Sequence, residues 1–487
     1  MLKIQEVKKR ILEQAVKGLL VTQNEEESVD SMIASIKSQR DGLIRTKKIR
    51  KPKPLQPIED DEVPYVIPST WKWVRIGDCL LNIIGGGTPS KANESYWNGD
   101  IPWASVKDMD SSMHLSTTLD SISEEGLNNS SSNLIEKGNI IVSTRMGLGK
   151  VKINTVDVAI NQDLKALILP NEIDTKYFYY CYKTLSIEGS GMTVKGIRQD
   201  ELLSLPFPLP PYEEQVQIAK KIDELFILCE QLEDEIKFQQ KHIRTLRNKL
   251  FDDALQGLLV TQNEEAEPAS VLLQKIQEER ERLVKEKVIR KTKPLPTIEE
   301  SDIPHELPSG WTWVRIGDIA TINPRNAIDD DLEVGFVPMK LIEDGYSGKH
   351  MSEPRKWKDV KRGFTHFQEN DIAIAKITPC FENKKSTIMK DLPNRHGAGT
   401  TELHIVRPFH EYVLADYLMC LFKSNTFIEK GVQSYTGTAG QQRVGKDFIE
   451  NYVIGLPPIE EQHRIVEKVN TVWETINEIE SNIVSAK

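Results

Sequence analysis

Two stretches of the chain that share almost no sequence each hold arginines, lysines and carboxamides suited to recognition chemistry. Arg145, Lys107, Lys195 and Arg198 fall in the first stretch, and Lys376, Lys384, Arg443 and Lys446 in the second. An arginine offers two parallel N–H donors that fit a phosphate or the O6 and N7 acceptors of guanine, and the amides of Asn161, Gln162, Gln441 and Gln442 can pair at two points with adenine. Thr88, Lys91 and Thr400 lie in the same tracts and add shorter polar contacts. Any one of these side chains is equally readable as solvated surface or a loop cap, so the expectation attaches to the surface of each stretch as a whole.

Catalytic chemistry has no comparable set. The run Gly85 to Gly87 suggests a phosphate cradle, but Ser90 and Lys91 follow in the reverse of the Walker order, so a tight loop or plain turn is expected. Leu209-Pro210-Pro211-Tyr212 carries the Pro-Pro-aromatic run of adenine methyltransferases, with Leu209 where the acid or amide that holds the target amine would stand. No glycine-rich cofactor loop accompanies it, so it reads as a turn leading into a helix. Asp371 with Glu382, Asn383 and Lys384 echoes the carboxylate-and-lysine pattern of metal-dependent nucleases, without a counterpart in the first half, and a structural or DNA-contacting role is expected instead. Nine histidines form no H-x-x-H pattern, and the five cysteines, Cys79, Cys181, Cys229, Cys380 and Cys420, form no C-x-x-C. No cofactor, metal or disulfide framework is expected, and the cysteines should be reduced and mostly buried.

The elements that would position these residues are written twice. Ala15 to Glu26 (AVKGLLVTQNEE) recurs as Ala254 to Glu265 (ALQGLLVTQNEE), and Ile49 to Leu55 as Ile289 to Leu295. Trp71 to Asp78 (WKWVRIGD) recurs as Trp311 to Asp318 (WTWVRIGD), and Leu209 to Gln215 (LPPYEEQ) as Leu456 to Gln462 (LPPIEEQ). The repeats connect, and the stretches between them differ: one scaffold presents two different recognition surfaces. Trp71, Trp73, Trp311 and Trp313 belong to the shared part and are expected to pack where the chain enters each domain.

After LPPYEEQ, apolar residues at Ile218, Ile222, Leu225, Cys229, Leu232, Ile236, Ile243, Leu246 and Leu250 alternate by threes and fours, with Gln239 at one seam position. This predicts a long helix of coiled-coil type, opened near Pro211 and stopped near Gly257. The C-terminal segment (Ile465, Val469, Val472, Ile476, Ile479, Ile483) repeats the first part of that register, and the N-terminal segment (Ile4, Val7, Ile11, Ala15) repeats the last part. The expected architecture is therefore cyclic and pseudo-two-fold, the central helix packing antiparallel to the two terminal helices. Further helices are expected at about 29–48 and 271–288, followed by proline-rich linkers. Runs at Asn139 to Ser143, Asp157 to Ile160, Leu164 to Leu169, Ile372 to Ile377 and Glu402 to Val406 read as strands, giving α+β domains.

With 487 residues the chain needs at least two cores. It has no run of about 18 apolar residues and its N-terminus is a charged helical pattern, so a cytoplasmic protein without a membrane partner is expected. A net charge of −10 argues mildly against a nucleic-acid partner, but much of the acid lies in connectors such as Glu25 to Glu27, Glu59 to Glu62, Glu230 to Glu235 and Glu299 to Asp302, away from basic stretches such as Lys376 to Lys385.

This pattern resembles the DNA-specificity subunits of Type I restriction-modification systems over essentially the whole chain. The first variable domain carries the resemblance through Gly86 to Ser90 (GGTPS), Tyr96 to Trp103 (YWNGDIPW), Asn161 to Lys165 (NQDLK) and Thr193 to Gln199 (TVKGIRQ). The second, similar to another subtype, carries it through Phe336 to Met339 (FVPM), Ala375 to Asn383 (AKITPCFEN), Gly397 to Glu402 (GAGTTE) and Gly440 to Arg443 (GQQR). The resemblance implies two α/β target-recognition domains, at 62–211 and 302–458, joined by long antiparallel helices: an N-terminal helical region at 1–61, a central helix and linker at 212–301, and a C-terminal helix at 459–487. It implies a non-catalytic subunit that reads a split duplex DNA site, one half per domain. Two methyltransferase subunits would dock on the helices and the acidic connectors near Glu25 and Glu264, and restriction subunits could be added. Two other readings remain: a self-contained DNA methyltransferase or nuclease, and a non-DNA coiled-coil protein with two ligand-binding heads.

Overall fold

Within each half of the chain, the repeated segment that enters the variable stretch lies beside the repeated segment that leaves it. In the computed structural model, which describes residues 2–23, 29–189, 196–263, 265–438 and 441–485, the Lys72–Arg75 strand pairs antiparallel with Pro206–Leu209, and Thr312–Arg315 pairs the same way with Val453–Leu456. The strand that brings the chain into each domain is thus zipped to the strand that leaves it. The chain divides into two units, residues 1–235 and 236–486, and the boundary falls inside the Tyr212–Leu255 helix.

The seams of these paired strands are closed by residues of the repeats. Trp71 is buried and donates through Nε1 to Glu214 at 2.6 Å; Trp311 donates likewise to Glu461 at 3.1 Å. Arg75 spreads its guanidinium over the carbonyls of Gln56, Pro57 and Ser204 and both oxygens of Glu62. Arg315 does the same with Pro296, Thr297, Asn451 and Asp302. Gln215 and Gln462, fully buried, accept from the backbone N–H at the start of a domain helix, Asp174 in one half and Leu414 in the other. Trp71 and Trp311 are therefore packing residues, as their place in the repeat suggests, while Trp73 and Trp313 are half-buried. The turns after Ala15 and Ala254 require glycine: Gly18 and Gly257 have φ of +73° and +71°, and a Cβ on Gly257 would meet the Pro308 ring at 2.6 Å.

The strand order inside the two domains is the same although their sequences are not. One sheet of the first domain runs Asn82–Gly85, Leu164–Ile168, Ile140–Ser143, Val151–Asn154, with a short fifth strand at His114–Leu115; its counterpart in the second runs Ala320–Ile322, Leu403–Pro408, Ile372–Ala375, Ser386–Ile388. A second sheet follows one order in both: Asp120–Ile122, Trp97–Ala104, Val158–Ile160, Leu134–Ile135 against Glu353–Lys356, Glu333–Val337, His396–Gly399, Thr365–Gln368, with the middle pair parallel each time. All five strands expected from the sequence are present, four trimmed by a residue or two and the fifth, Leu403–Pro408, running two residues beyond its expected end. Gly86 and Gly87 are set by close approach: a Cβ would lie 1.9 Å from the Ile160 carbonyl and 2.0 Å from Ser131 Oγ, so neither position has room for a side chain.

The central helix, Tyr212–Leu255, has 44 residues and a length of ~66 Å. In the first unit the N-terminal helix Leu2–Val16 runs antiparallel to it: Lys8 pairs with Glu230 and lies over Phe226, while Ala15 and Val16 join the core of Ile218 and Ile222. In the second, the Ile459–Ser485 helix does the same, with Arg247 on Asn477 and Glu480 and Phe251 against Trp473. The seam departs from the expected double row. Ile222, Cys229, Ile236, Ile243 and Leu250, seven apart, are buried, whereas Leu232 and Leu246 are 48% and 52% exposed. Ile479 and Val7 on the terminal helices are likewise open. The alternate row is buried where the helices meet the domains, at Ile218 and Ile465, and opens to solvent farther along, so part of the apolar stripe is left uncovered by the chain itself.

Candidate nucleic-acid interface

In each domain several of the polar residues singled out in the sequence gather where two neighbouring strands end and a later loop folds back over them. In the first, Ser143 pairs with Leu164 at the end of the sheet. Beyond that pair Thr144 N–H donates to the Asp163 carbonyl at 2.9 Å, Ile197 N–H donates to the Thr144 carbonyl at 3.0 Å, and Arg145 forms a bridge with Gly196. Arg145, with a half-exposed side chain, lies 3.7 Å from the Asp163 carboxylate. Thr88 donates to Gln162 Oε1 at 2.6 Å, joining two candidates directly. Lys107 is exposed on a short turn, and its neighbour Val106 faces Gly147 in the Arg145 loop. Lys91 is exposed nearby in sequence but shares no described contact with this group.

Asn161 is placed differently from the expectation of an adenine-pairing amide. It is 6% exposed, its Oδ1 accepts from Asp163 N–H and its Nδ2 points at Asp163 Oδ2. It caps the loop that carries Asp163 and Gln162. Arg198 starts a short helix and is engaged side-on by Glu201, which pushes the arginine's pKa up and the carboxyl's down. Lys195 lies outside the described residues, as do Glu25 and Glu264.

The second domain repeats the geometry with other side chains. Ala375 pairs with Leu403. Lys376 N–H donates to the Glu402 carbonyl at 2.9 Å, Val444 N–H donates to the Lys376 carbonyl at 2.9 Å, and Ile377 bridges Arg443. Arg443 is held side-on by Glu402, Nε and Nη2 each 2.9 Å from one carboxylate oxygen, and Nη1 donates to the Gln441 carbonyl at 2.9 Å. That pairing holds the Glu402 carboxyl below its ordinary range and the guanidinium above its own. Thr400 Oγ1 accepts from Glu402 N–H, and the Gln442 carbonyl accepts from Thr378 N–H, so these two are loop-closing groups with Gln441 exposed beside them. Lys446 pairs with Glu450 on the surface of a short helix.

Lys384 is the clear departure. Its Nζ is enclosed by Asn248 Oδ1, Tyr346 OH, Asn425 Oδ1 and the Lys423 carbonyl, and burial lowers its pKa to about 8. It ties the domain to its end of the central helix and is not offered to a phosphate. Nor do Asp371 and Lys384 meet: Asp371, fully buried, is claimed by Arg407 at 2.7 and 2.8 Å, and Glu382 accepts from Tyr435. Among the described residues no group of three or more His, Cys, Asp or Glu is placed to hold a metal. The Leu209-Pro210-Pro211-Tyr212 run is the end of a sheet strand and the start of the central helix. Reading the sequence for bases to contact missed Asp163 and Glu402, which organise both clusters. Each is the acid immediately before the Leu that opens a strand, a position visible in NQDLK and in GAGTTE.

Among curated relatives, the Type I restriction enzyme EcoAI specificity subunit of Escherichia coli is 46% identical over 50% of this chain and 42% of its own length, and the EcoEI specificity subunit of the same organism is 47% identical over 46% and 38%. Each match spans less than half of the relative. A solved structure described as showing complex assembly and conformational transition of the type I R-M system is similar in fold, with a TM-score of 0.51 at 16% identity over 87% of this chain and 95% of that one. The family model for the Type I restriction modification DNA specificity domain matches residues 68–239 and again 308–485, once in each unit and over well more than half of the sequence. With two such matches, each covering paired incoming and outgoing strands around a loop cluster, this chain belongs to the Type I restriction modification DNA specificity family.

Proposed function

We propose that this chain selects a bipartite duplex DNA sequence, one half through the domain at 62–211 and the other through the domain at 302–458, and contributes no catalysis of its own. The observation that carries this reading is one backbone scaffold built twice with different polar side chains on its loop cluster, which suits reading two unlike half-sites. Arg145, Lys107, Gln162 and Thr88 in the first domain, and Arg443, Lys376 and Gln441 in the second, are the contacts we assign to DNA. The exposed apolar residues Leu232 and Leu246 of the central helix support docking of methyltransferase subunits there; the methyl donor then belongs to those subunits. No helix among the described residues is long and apolar enough to cross a membrane, which accords with a cytoplasmic site of action.

The test is to map modified bases genome-wide in cells expressing the methyltransferase subunit with and without this chain. A split motif of two unlike halves, modified only when the chain is present, is expected; modification independent of the chain would remove the assignment. Arg443→Glu should weaken DNA binding and spare methyltransferase docking, and equal loss of both would contradict this division of labour.

A further inference from the structure

We infer that each recognition domain reads a guanine with an arginine held in place by a carboxylate: Arg443 is held by Glu402 and Arg145 by Asp163. This rests on the proposal that these loops face duplex DNA, and it adds two positioning residues that themselves need touch no base.

The two acids are equivalent by hydrogen bonding. Asp163 and Glu402 each accept, through the main chain, from the residue one beyond the sheet pair, Thr144 or Lys376. That residue's carbonyl in turn accepts from Ile197 or Val444. The arginines are not equivalent. Arg145 stands on the strand side of the bridge to Gly196, whereas Arg443 stands on the loop side of the bridge to Ile377. The acid has stayed in place and the arginine has crossed over, so the two guanidinium groups leave the sheet from different points while answering to the same carboxylate. A carboxylate near a phosphate backbone is repelled, so its place in both clusters calls for a function that outweighs this cost. Holding an arginine supplies one.

In the second domain that function can be followed donor by donor. A guanidinium has five N–H donors. Glu402 takes Nε and one on Nη2, and the Gln441 carbonyl takes one on Nη1. One donor is left on each terminal nitrogen, and the side chain is 38% exposed. Two adjacent donors on a fixed plane match guanine O6 and N7 in the major groove, and fixing that plane beforehand removes ordering that binding would otherwise require. Because the pair is close to neutral, it adds little to attraction for the phosphate backbone and its effect should be on discrimination. In the first domain the Arg145 pair is longer, at 3.7 Å, and more exposed, so its hold is weaker.

The experiment selects bound duplexes from a library randomised in both half-sites, using the full chain and its Glu402→Gln and Arg443→Lys variants, with thermal melting of each to verify folding. Wild type should prefer G·C at one position of the half-site assigned to the second domain. Both variants should lose about tenfold or more of that preference at that position alone, keep the preferences of the other half-site, and not lose affinity for non-specific duplex in the Glu402→Gln case. Preference retained at that position by a folded variant, or a loss spread evenly over all positions, overturns the carboxylate-held arginine while leaving DNA reading intact. If Glu402→Gln does not fold, Arg443→Lys decides alone. A wild-type chain with no sequence preference overturns both this inference and the function on which it rests.

Discussion

At the base of the two domains the same residues make the same bonds, and at their loop clusters the same backbone bonds carry different residues. Trp71 and Trp311, Arg75 and Arg315, and Gln215 and Gln462 have matching partners. Tyr177 and Tyr417 each donate a hydroxyl at 2.7 Å to a carbonyl of the outgoing strand. At the loop clusters only the main-chain ladder matches, while the arginine changes sides. The difference follows from what fixes each region. A side chain at the base is enclosed by its own chain, so its identity is set by packing and buried hydrogen bonds. The cluster needs its backbone bonds to close the loops, but leaves Arg145, Gln441 and Arg443 partly open to solvent, where packing does not fix residue type.

The strongest test of the equivalence at the base is to remove its arginines. Arg75→Ala and Arg315→Ala each remove a buried guanidinium that serves three carbonyls and a carboxylate, and each should lower stability by about 2–4 kcal/mol in denaturant melts. Losses of clearly different size would mean that the two halves close in different ways.

Next in size is a contrast between the halves. Lys384 and Lys423 are buried together in the second domain, and burial lowers their pKa values to about 8 and about 7. Asp252 and Glu429 face Lys384, and Asp344 faces Lys423. Matching main-chain bonds to Lys150 and Lys385 put Gly149 at the place of Lys384 in the first domain. The unfolded lysines, with pKa 10.5, keep protons that the folded ones release. The stability of the second domain should therefore rise as pH increases through 7 and 8 and level off above the unfolded value. Lys423→Met should flatten that rise in melts from pH 6.5 to 9, and an unchanged slope would show that the pair is not the source.

Trp71→Phe and Trp311→Phe each delete one hydrogen bond to a glutamate and should cost about 1 kcal/mol, again alike in both halves when measured by the same melts. Smallest of all, Arg198→Ala and Lys446→Ala remove exposed pairs with Glu201 and Glu450, and thermal melts should not resolve a change. A resolved loss would move those residues from the variable surface into the scaffold.

Much of this molecule was legible from the repeats, because a residue repeated across a gap of about 240 positions amid divergent sequence is under a demand both halves share. The long helix, its antiparallel terminal partners, the strands and the packing role of the tryptophans all follow from apolar spacing, prolines and glycines. The identical sheet order of the two domains was hidden, since strands such as Val158–Ile160 and His396–Gly399 share position and pairing but not residue type. The half-open helical seam was hidden as well: spacing tells which residues lie on a stripe, and only the neighbour's placement tells how much of the stripe it covers.

The candidate contacts divide along the same line. The sequence by itself determined the presence of arginines and amides in turn-rich tracts of both variable stretches, and the lack of catalytic motifs, because residue type and local spacing suffice for those. Tertiary structure alone decided that Lys384 is enclosed, that Asn161 caps a loop, and that Asp163 and Glu402 occupy one site with the arginine on opposite sides of it. Apart from the Asn161 cap, whose partner Asp163 is two residues away, those outcomes depend on residues some 20 to 140 positions apart, as with Arg145 and Asp163 or Lys384 and Asn248. Such distant residues are brought together by sheet register and chain reversal, and no local pattern of residue types encodes them.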